Sequence, residues 1–263
     1  MKTINTLERG LLVLQELDEL RGQSLAELYE KTGIPKATLL RILETLRKNR
    51  FIWRAMGDGC YRRTISIAAR RQLDERTLQL AEIAAPFLVQ LQKKVIWPSD
   101  LTVPREGYLE LVETSRRYAG LGIAEYELGY KVDMFLAAPS RAYLAFCREE
   151  QREAAIALAR ANPPANPRSR QVLERELDSV LAETRAQGYG ARDPLFGGSN
   201  LDKSVHDDQL DAIAVPIFQG DDVIACISLL WPRKFQLRAK LVQAHLADLK
   251  ASATAIGAAL AAS

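Results

Sequence analysis

Lys36, Thr38 and Arg41 fall in the first two turns of the segment IPKATLLRILETLRKNR, in which Leu39, Ile42, Leu43 and Leu46 mark out an apolar face. If the segment is a helix, these three polar residues point away from that face, near its start. Lysine and arginine donate to the O6 and N7 acceptors of guanine, and a threonine hydroxyl reaches a base or a phosphate. Arg47, Lys48 and Arg54 suit phosphate contacts, Arg62 and Arg63 suit a minor groove, and Arg9 is weighed between a backbone phosphate and a helix cap. Between Lys31 and Arg71 stand eleven basic residues and two acidic ones, a net +9, whereas the whole chain of 263 residues carries only +3 and the remainder therefore −6. Charge segregated in this way is the footprint of a surface that neutralises phosphates and releases their counterions.

The rest of the chain offers no comparable set for catalysis. GxSxG, HExxH and P-loop patterns are absent, and His206 and His245 lie in different segments without a matched nucleophile or metal partner. Cys60, Cys147 and Cys226 are isolated, giving neither a metal pair nor an even disulfide set. The expectation is therefore no catalytic residue, no metal and no cofactor. Binding is easier to support. Trp97, Tyr118, Tyr126, Tyr130, Phe135, Tyr143 and Trp231 suit the lining of an apolar cavity, and Arg116, Arg117 or Arg141 suits a carboxylate.

These residues need elements to hold them. TLERGLLVLQELDEL reads as an amphipathic helix with Leu7, Leu11, Leu14 and Leu17 on one stripe, wider than a three-helix core needs and so in part open to a partner subunit, and with Thr6 as N-cap. A short second helix is announced by the capping-box spacing of Ser24 and Glu27 and stopped by Gly33. After the third helix, FIWRAMGDGCYRRTISI holds two β-rich runs around Gly57-Asp58-Gly59, a hairpin signal. Three helices and a hairpin make a winged helix-turn-helix over 1–67. A helix from Ala68 to Val95, with a bend before Pro86, then serves as a linker to a domain over 96–263. There the strand-like LTVPREGYLELVET is followed by helical stretches, an exposed loop from Asn162 to Arg170, a helix ending at Gly188, and two strands split by Gly220-Asp221-Asp222. Mixed strands and helices with hairpin turns predict an α+β fold. MKTINTLERG has no signal-peptide pattern and no apolar run approaches the roughly 18 residues that span a bilayer, so a cytoplasmic protein with no membrane partner is expected.

With TLERGLLVLQEL, IPKATLLRILETLRKNRFI, LAAPSRAYLAF, ETRAQGYGARD and LDAIAVPIFQGDDVIACISLLWP in this order, the chain resembles the IclR family of bacterial regulators along essentially its whole length. The resemblance implies a winged helix-turn-helix that dimerises, often into a dimer of dimers, and a GAF/PAS-like effector domain whose ligand lies between a curved sheet and its covering loops and helices. VIWPSDLTV and YLAFC are similar to the subgroup regulating aromatic-acid breakdown, which implies an aromatic carboxylate effector and a catabolic operon. The ligand-binding residues so implied are Trp97, Asp100, Arg116, Leu121, Phe135, Ala138, Tyr143, Ile213, Cys226 and Ser228. Many members have a histidine and a threonine before the alanine and glycine of the long helix; Leu136, Ala137, Ala138, Pro139 and Ser140 stand here, which shifts polar recognition to Arg116, Asp100, Ser228 or another donor. The partners expected are double-stranded operator DNA, the effector, further copies of the chain and RNA polymerase. Three rivals stand beside this reading: a regulator sensing a non-aromatic small acid, an enzyme that turns over the ligand, and an architectural DNA-binding protein with no effector.

Overall fold

The computed structural model describes residues 4–17, 23–49, 51–54, 59–63, 74–116 and 128–262, with the backbone alone at 53, 62 and 63. The chain divides into two compact units, 1–74 and 75–263.

In the first unit, α1 (Asn5–Glu16), α2 (Leu25–Thr32) and α3 (Lys36–Lys48) precede a pair of antiparallel strands, β1 (Ile52–Arg54) and β2 (Tyr61–Arg63). The Ser24 hydroxyl accepts from the Glu27 amide while the Glu27 carboxylate accepts from the Ser24 amide, so two orphan donors of α2 are satisfied at once. Gly33 closes α2 in the left-handed region at φ 64°, and Pro35, two residues later, is the N-cap of α3. Val13, Leu17, Leu28, Leu39, Leu43 and Ile52 form the core. A third edge is added to the strand pair by Gln23, whose amide and carbonyl bond those of Tyr61 at 2.9 and 2.8 Å.

One expectation for α1 is corrected. Ile4, not Thr6, is the N-cap, and no side chain caps this end. The α1 stripe is wider than this core: Leu17 is buried in it, whereas Leu7 and Leu11 are 58% and 51% exposed. The hairpin tip with Gly57 and Asp58 lies outside the described residues.

The second unit is built on one antiparallel sheet in the order β5-β4-β3-β8-β7-β6. Its strands are β3 (Ser99–Arg105), β4 (Tyr108–Thr114), β5 (Lys131–Val132), β6 (Gly190–Ala191), β7 (Leu210–Gln219) and β8 (Asp222–Pro232). The helix expected over 68–95 is α4 (Glu75–Val95), continuous through Pro86. It belongs to the second unit, because Leu78, Ala81, Ala84, Leu88 and Leu91 are buried in it and Thr77 accepts from Arg105 of β3 at 3.1 Å.

Helices cover both faces of the sheet. The long C-terminal helix α9 (Arg238–Ala261) runs on the face of Ile217, where a Cβ at Gly257 would stand 2.3 Å from the Phe218 carbonyl oxygen. On the other face α5 (Ala138–Phe146) lies so close to β6 that a Cβ at Gly190 would meet the Ala138 carbonyl oxygen at 2.2 Å. Helix α6 (Glu149–Ala161) follows α5. The stretch 162–170, expected as a loop, turns into α7 (Pro167–Gln171) halfway along, because the buried Asn166 side chain accepts from the amides of Arg168 and Ser169. A π-helical turn, Val172–Glu176, leads to α8 (Leu177–Gln187), which ends at Gly188 as its sequence predicts. Among the described residues no helix is long and apolar enough to cross a membrane.

Candidate functional site

Two faces are built from the residues singled out, one in each unit. Along α3 the burial of Leu39, Ile42 and Leu43 turns Lys36, Arg41, Arg47 and Lys48 into solvent, and Thr38 is half-buried at the first turn. The Lys36 ammonium rests 5.6 Å from the centre of the Tyr29 ring of α2, a cation–π contact that draws it toward that helix. Arg47 forks onto Glu44 at 2.9 and 3.0 Å, and this hydrogen bond holds the Glu44 carboxyl below its usual range. Arg54 donates to the Gly59 carbonyl at 3.0 Å and lies 5.4 Å from the Tyr61 ring centre, so the strand pair fixes its direction. Arg9 is exposed on α1, and the side chains of Arg62 and Arg63 lie outside the described residues. Sequence reasoning passed over Tyr29 and Leu40, which are 44% and 47% exposed. Both are large and apolar, and only the helix orientation reveals that they miss the core.

In the second unit, strand register sorts the ten expected ligand residues. Asp100 pairs with Ser228, which pairs with Ala214, and Thr102 pairs with Cys226, so these side chains share one face. Ile213 pairs with Leu229 one position out of step and therefore faces α9, not this face; Trp231, in the same phase as Leu229, is excluded likewise. Arg116 is 5% exposed and donates from Nη2 and Nε to the Asp100 carboxylate at 2.6 to 3.1 Å, while the Thr114 hydroxyl adds a 2.7 Å bond to Asp100. The guanidinium expected to meet a ligand carboxylate thus already carries one from its own chain. Arg141 is engaged too, with the Phe135 carbonyl at 2.8 Å and Asp193 at 2.7 Å.

Tyr143 of α5 packs in the same core as Cys226, and burial pushes its phenol up to about 12. Burial also raises the Cys226 thiol, as expected of an inert free cysteine. Phe135 and Ala138 are core under α5, where Ala138 contributes its carbonyl to the close approach of Gly190. Trp97 is half-buried at the sheet end, tilted against Phe235 with ring centres 5.8 Å apart. Leu121, with Arg117, Tyr118 and Tyr126, lies outside the described residues.

Tyr130, by contrast, is brought in. Its hydroxyl donates to the Gly198 carbonyl, and burial raises its pKa, with Asp208, Arg192 and Arg116 all within electrostatic reach. Arg192 itself bonds Asp208 at 2.7 Å. The candidate effector face therefore consists of Asp100, Thr114, Arg116, Cys226 and Ser228, with Tyr130 within electrostatic reach of Arg116. A groove of about 740 Å³ beside α9, lined in part by Phe146, Pro216, Phe218 and Lys250, contains none of the ten expected residues. Among the described residues no group of three or more metal-ligating side chains converges.

Comparison with known proteins agrees with this division. Residues 6–54 match the IclR helix-turn-helix domain, and residues 75–258 match the family described as bacterial transcriptional regulator IclR C-terminal. A curated relative, the DNA-binding transcriptional repressor YiaJ of Escherichia coli (strain K12), is 26% identical over 142 residues, 54% of this chain; the match spans half the length of that protein. Among solved structures, an IclR homolog complexed with 4-hydroxybenzoate from Microbacterium hydrocarbonoxydans superposes with a TM-score of 0.55 at 21% identity, covering 98% of this chain and 100% of that one. The Thermotoga maritima IclR gives 0.54 at 20% identity over 98% and 99%. At such identities the likeness speaks for the fold, a helix-turn-helix unit followed by an α+β domain.

Proposed function

This chain belongs to the IclR family of bacterial transcriptional regulators, and from that premise we propose that it binds operator DNA through α3 and the β1–β2 pair and responds to a small aromatic acid. The observation that carries the DNA half is the exposure of the cations Lys36, Arg41 and Lys48 on α3, in the region of the chain whose net charge is +9. In a helix-turn-helix the start of the second helix of the motif reaches base edges while the first crosses the backbone. Lys36, Thr38 and Arg41 are the groove-side set, and Arg9, Arg47, Lys48, Arg54, Arg62 and Arg63 the phosphate set. The exposed Ile4, Leu7 and Leu11 of α1 favour a second copy as partner, which suits a palindromic operator.

The effector face supplies hydroxyls at Thr114 and Ser228 for a phenol, with Tyr130 within electrostatic reach of Arg116, and a ligand carboxylate would share Arg116 with Asp100. The 4-hydroxybenzoate bound by the Microbacterium protein guides the choice of an aromatic acid and of a catabolic operon as target. A non-aromatic small acid is the second reading, favoured by the polar cluster of Asp100, Thr114, Arg116 and Ser228, which needs no ring. Either effector acts only through differential affinity for two arrangements of the oligomer, changing operator occupancy or contact with RNA polymerase; α4, which follows the DNA unit in the chain, carries the change.

A thermal-shift screen of aromatic and aliphatic acids, followed by operator footprinting with each hit, tests the reading. An aromatic acid should raise the melting temperature by mass action and alter the footprint. If saturating aromatic acids leave melting, affinity and footprint unchanged, the effector assignment is wrong.

A further inference from the structure

We propose that Leu40, with Ala37 beside it, reads the C5 methyl of a thymine next to the base pair reached by Arg41, an inference that rests on the DNA-reading role of α3. Leu40 directly follows Leu39, yet Leu39 is fully buried and Leu40 is 47% exposed. It packs into no part of the core formed by the three helices and strand pair. At 100° per residue, Ala37 and Leu40 are neighbours three positions apart and make one small apolar patch on the outer side of α3. Both are exposed, as is Arg41.

The cations around this patch are not equivalent. Lys36 is drawn to the Tyr29 ring of α2, and Arg47 is bonded to Glu44, which leaves Arg41 as the long donor next to Leu40 that points into solvent from the second turn. The occupant must therefore be a polyanion that presents an apolar group beside hydrogen-bond acceptors. In the major groove that group is the thymine methyl, which C·G pairs lack. Adjacent helix residues rise 1.5 Å and adjacent base pairs 3.4 Å, so Leu40 and Arg41 meet the same pair or neighbouring ones.

The test uses the full chain. A duplex is selected from a randomised pool, and each of its thymines is then replaced by deoxyuridine, which lacks only the methyl. At one thymine in each half-site the replacement should weaken wild-type binding about fourfold, the worth of one buried methyl. Leu40→Ala should bind the two duplexes equally, with unchanged melting, and Leu40→Met should keep the preference. The proposal is overturned if no thymine is penalised in the wild type, or if Leu40→Ala retains the penalty. A pool that never enriches overturns the DNA-reading role itself, and this inference with it.

Discussion

In the N-terminal unit Lys36, Arg41 and Lys48 stand exposed along α3, whereas in the C-terminal unit Arg116, Arg141 and Arg192 lie buried, each against a carboxylate of the same chain. The physical reason is hydration. An exposed guanidinium or ammonium keeps its water and costs little to present, and phosphates can claim it later. A buried one loses several kcal/mol of solvation and persists only with an anion and further acceptors around it. The three buried arginines therefore fasten the fold, whereas the exposed cations of α3 stay open to a ligand.

The largest expected effect follows from breaking a fastening. Asp193 accepts from Arg141 at 2.7 Å, from Arg168 at 3.0 Å and from the Leu195 amide at 2.8 Å. Asp193→Ala leaves Arg141 buried without its carboxylate and should lower unfolding stability by about 3–5 kcal/mol in urea titration. A loss below about 1 kcal/mol would place Arg141 with the exposed cations and dissolve the contrast. Burial pushes the Asp193 carboxyl up, but the Arg168 and Leu195 bonds and the Arg141 charge outweigh it, so its pKa falls below the ordinary 3.8. Its stabilisation is therefore complete above pH 3.8 and is lost as the pH falls through the depressed value. Asp193→Asn should remove that part of the acid-unfolding slope.

The opposite pattern is expected at the exposed cations. Arg41→Ala should weaken binding to the selected operator by about 1–3 kcal/mol and leave the urea midpoint where it was. Lys48→Ala should weaken binding to all duplexes alike and reduce the slope of log K against log salt by about one. A Lys48 variant with altered sequence preference and an unaltered salt slope would move this residue from the phosphates to the bases.

How much of this was legible beforehand divides along the same line. In the first unit, helix periods, the Ser24–Glu27 capping box and the Gly33 stop are local signals, and the structure reproduces them. Exposure of α3 cations follows directly from Leu39, Ile42 and Leu43. That the α1 stripe of Leu7 and Leu11 exceeds the core was also legible, but the fate of Leu40 did not follow, because a single apolar residue records no reason for being left out of a core. In the second unit the strands around Gly220 were readable, but not their pairing with β3. That non-local register decides whether Ile213 or Ala214 shares a face with Asp100. Arg116 and Arg141 read as ligand anchors for the same reason: the carboxylates that claim them are 16 and 52 positions away.

Asp133 offers the finest test of the contrast, since it is a buried carboxylate held by N–H and O–H donors instead of a guanidinium. Its Oδ1 accepts from the amides of Phe135 and Leu136 at 2.9 and 2.8 Å and from the Ser169 hydroxyl at 3.1 Å. Burial dominates these bonds and raises its pKa above 3.8. The sign is thus opposite to that of Asp193: the favourable contribution is complete below pH 3.8 and disappears as the pH rises through the elevated value, where the folded chain must bury a charge. Asparagine keeps the accepting oxygen and carries no charge. Asp133→Asn should therefore melt higher than the wild type at pH 7, with the difference shrinking toward zero at pH 3. A variant that melts lower at pH 7 would mean that the more distant Arg141 charge needs Asp133 as well as Asp193, and that even here a buried carboxylate is kept for an arginine.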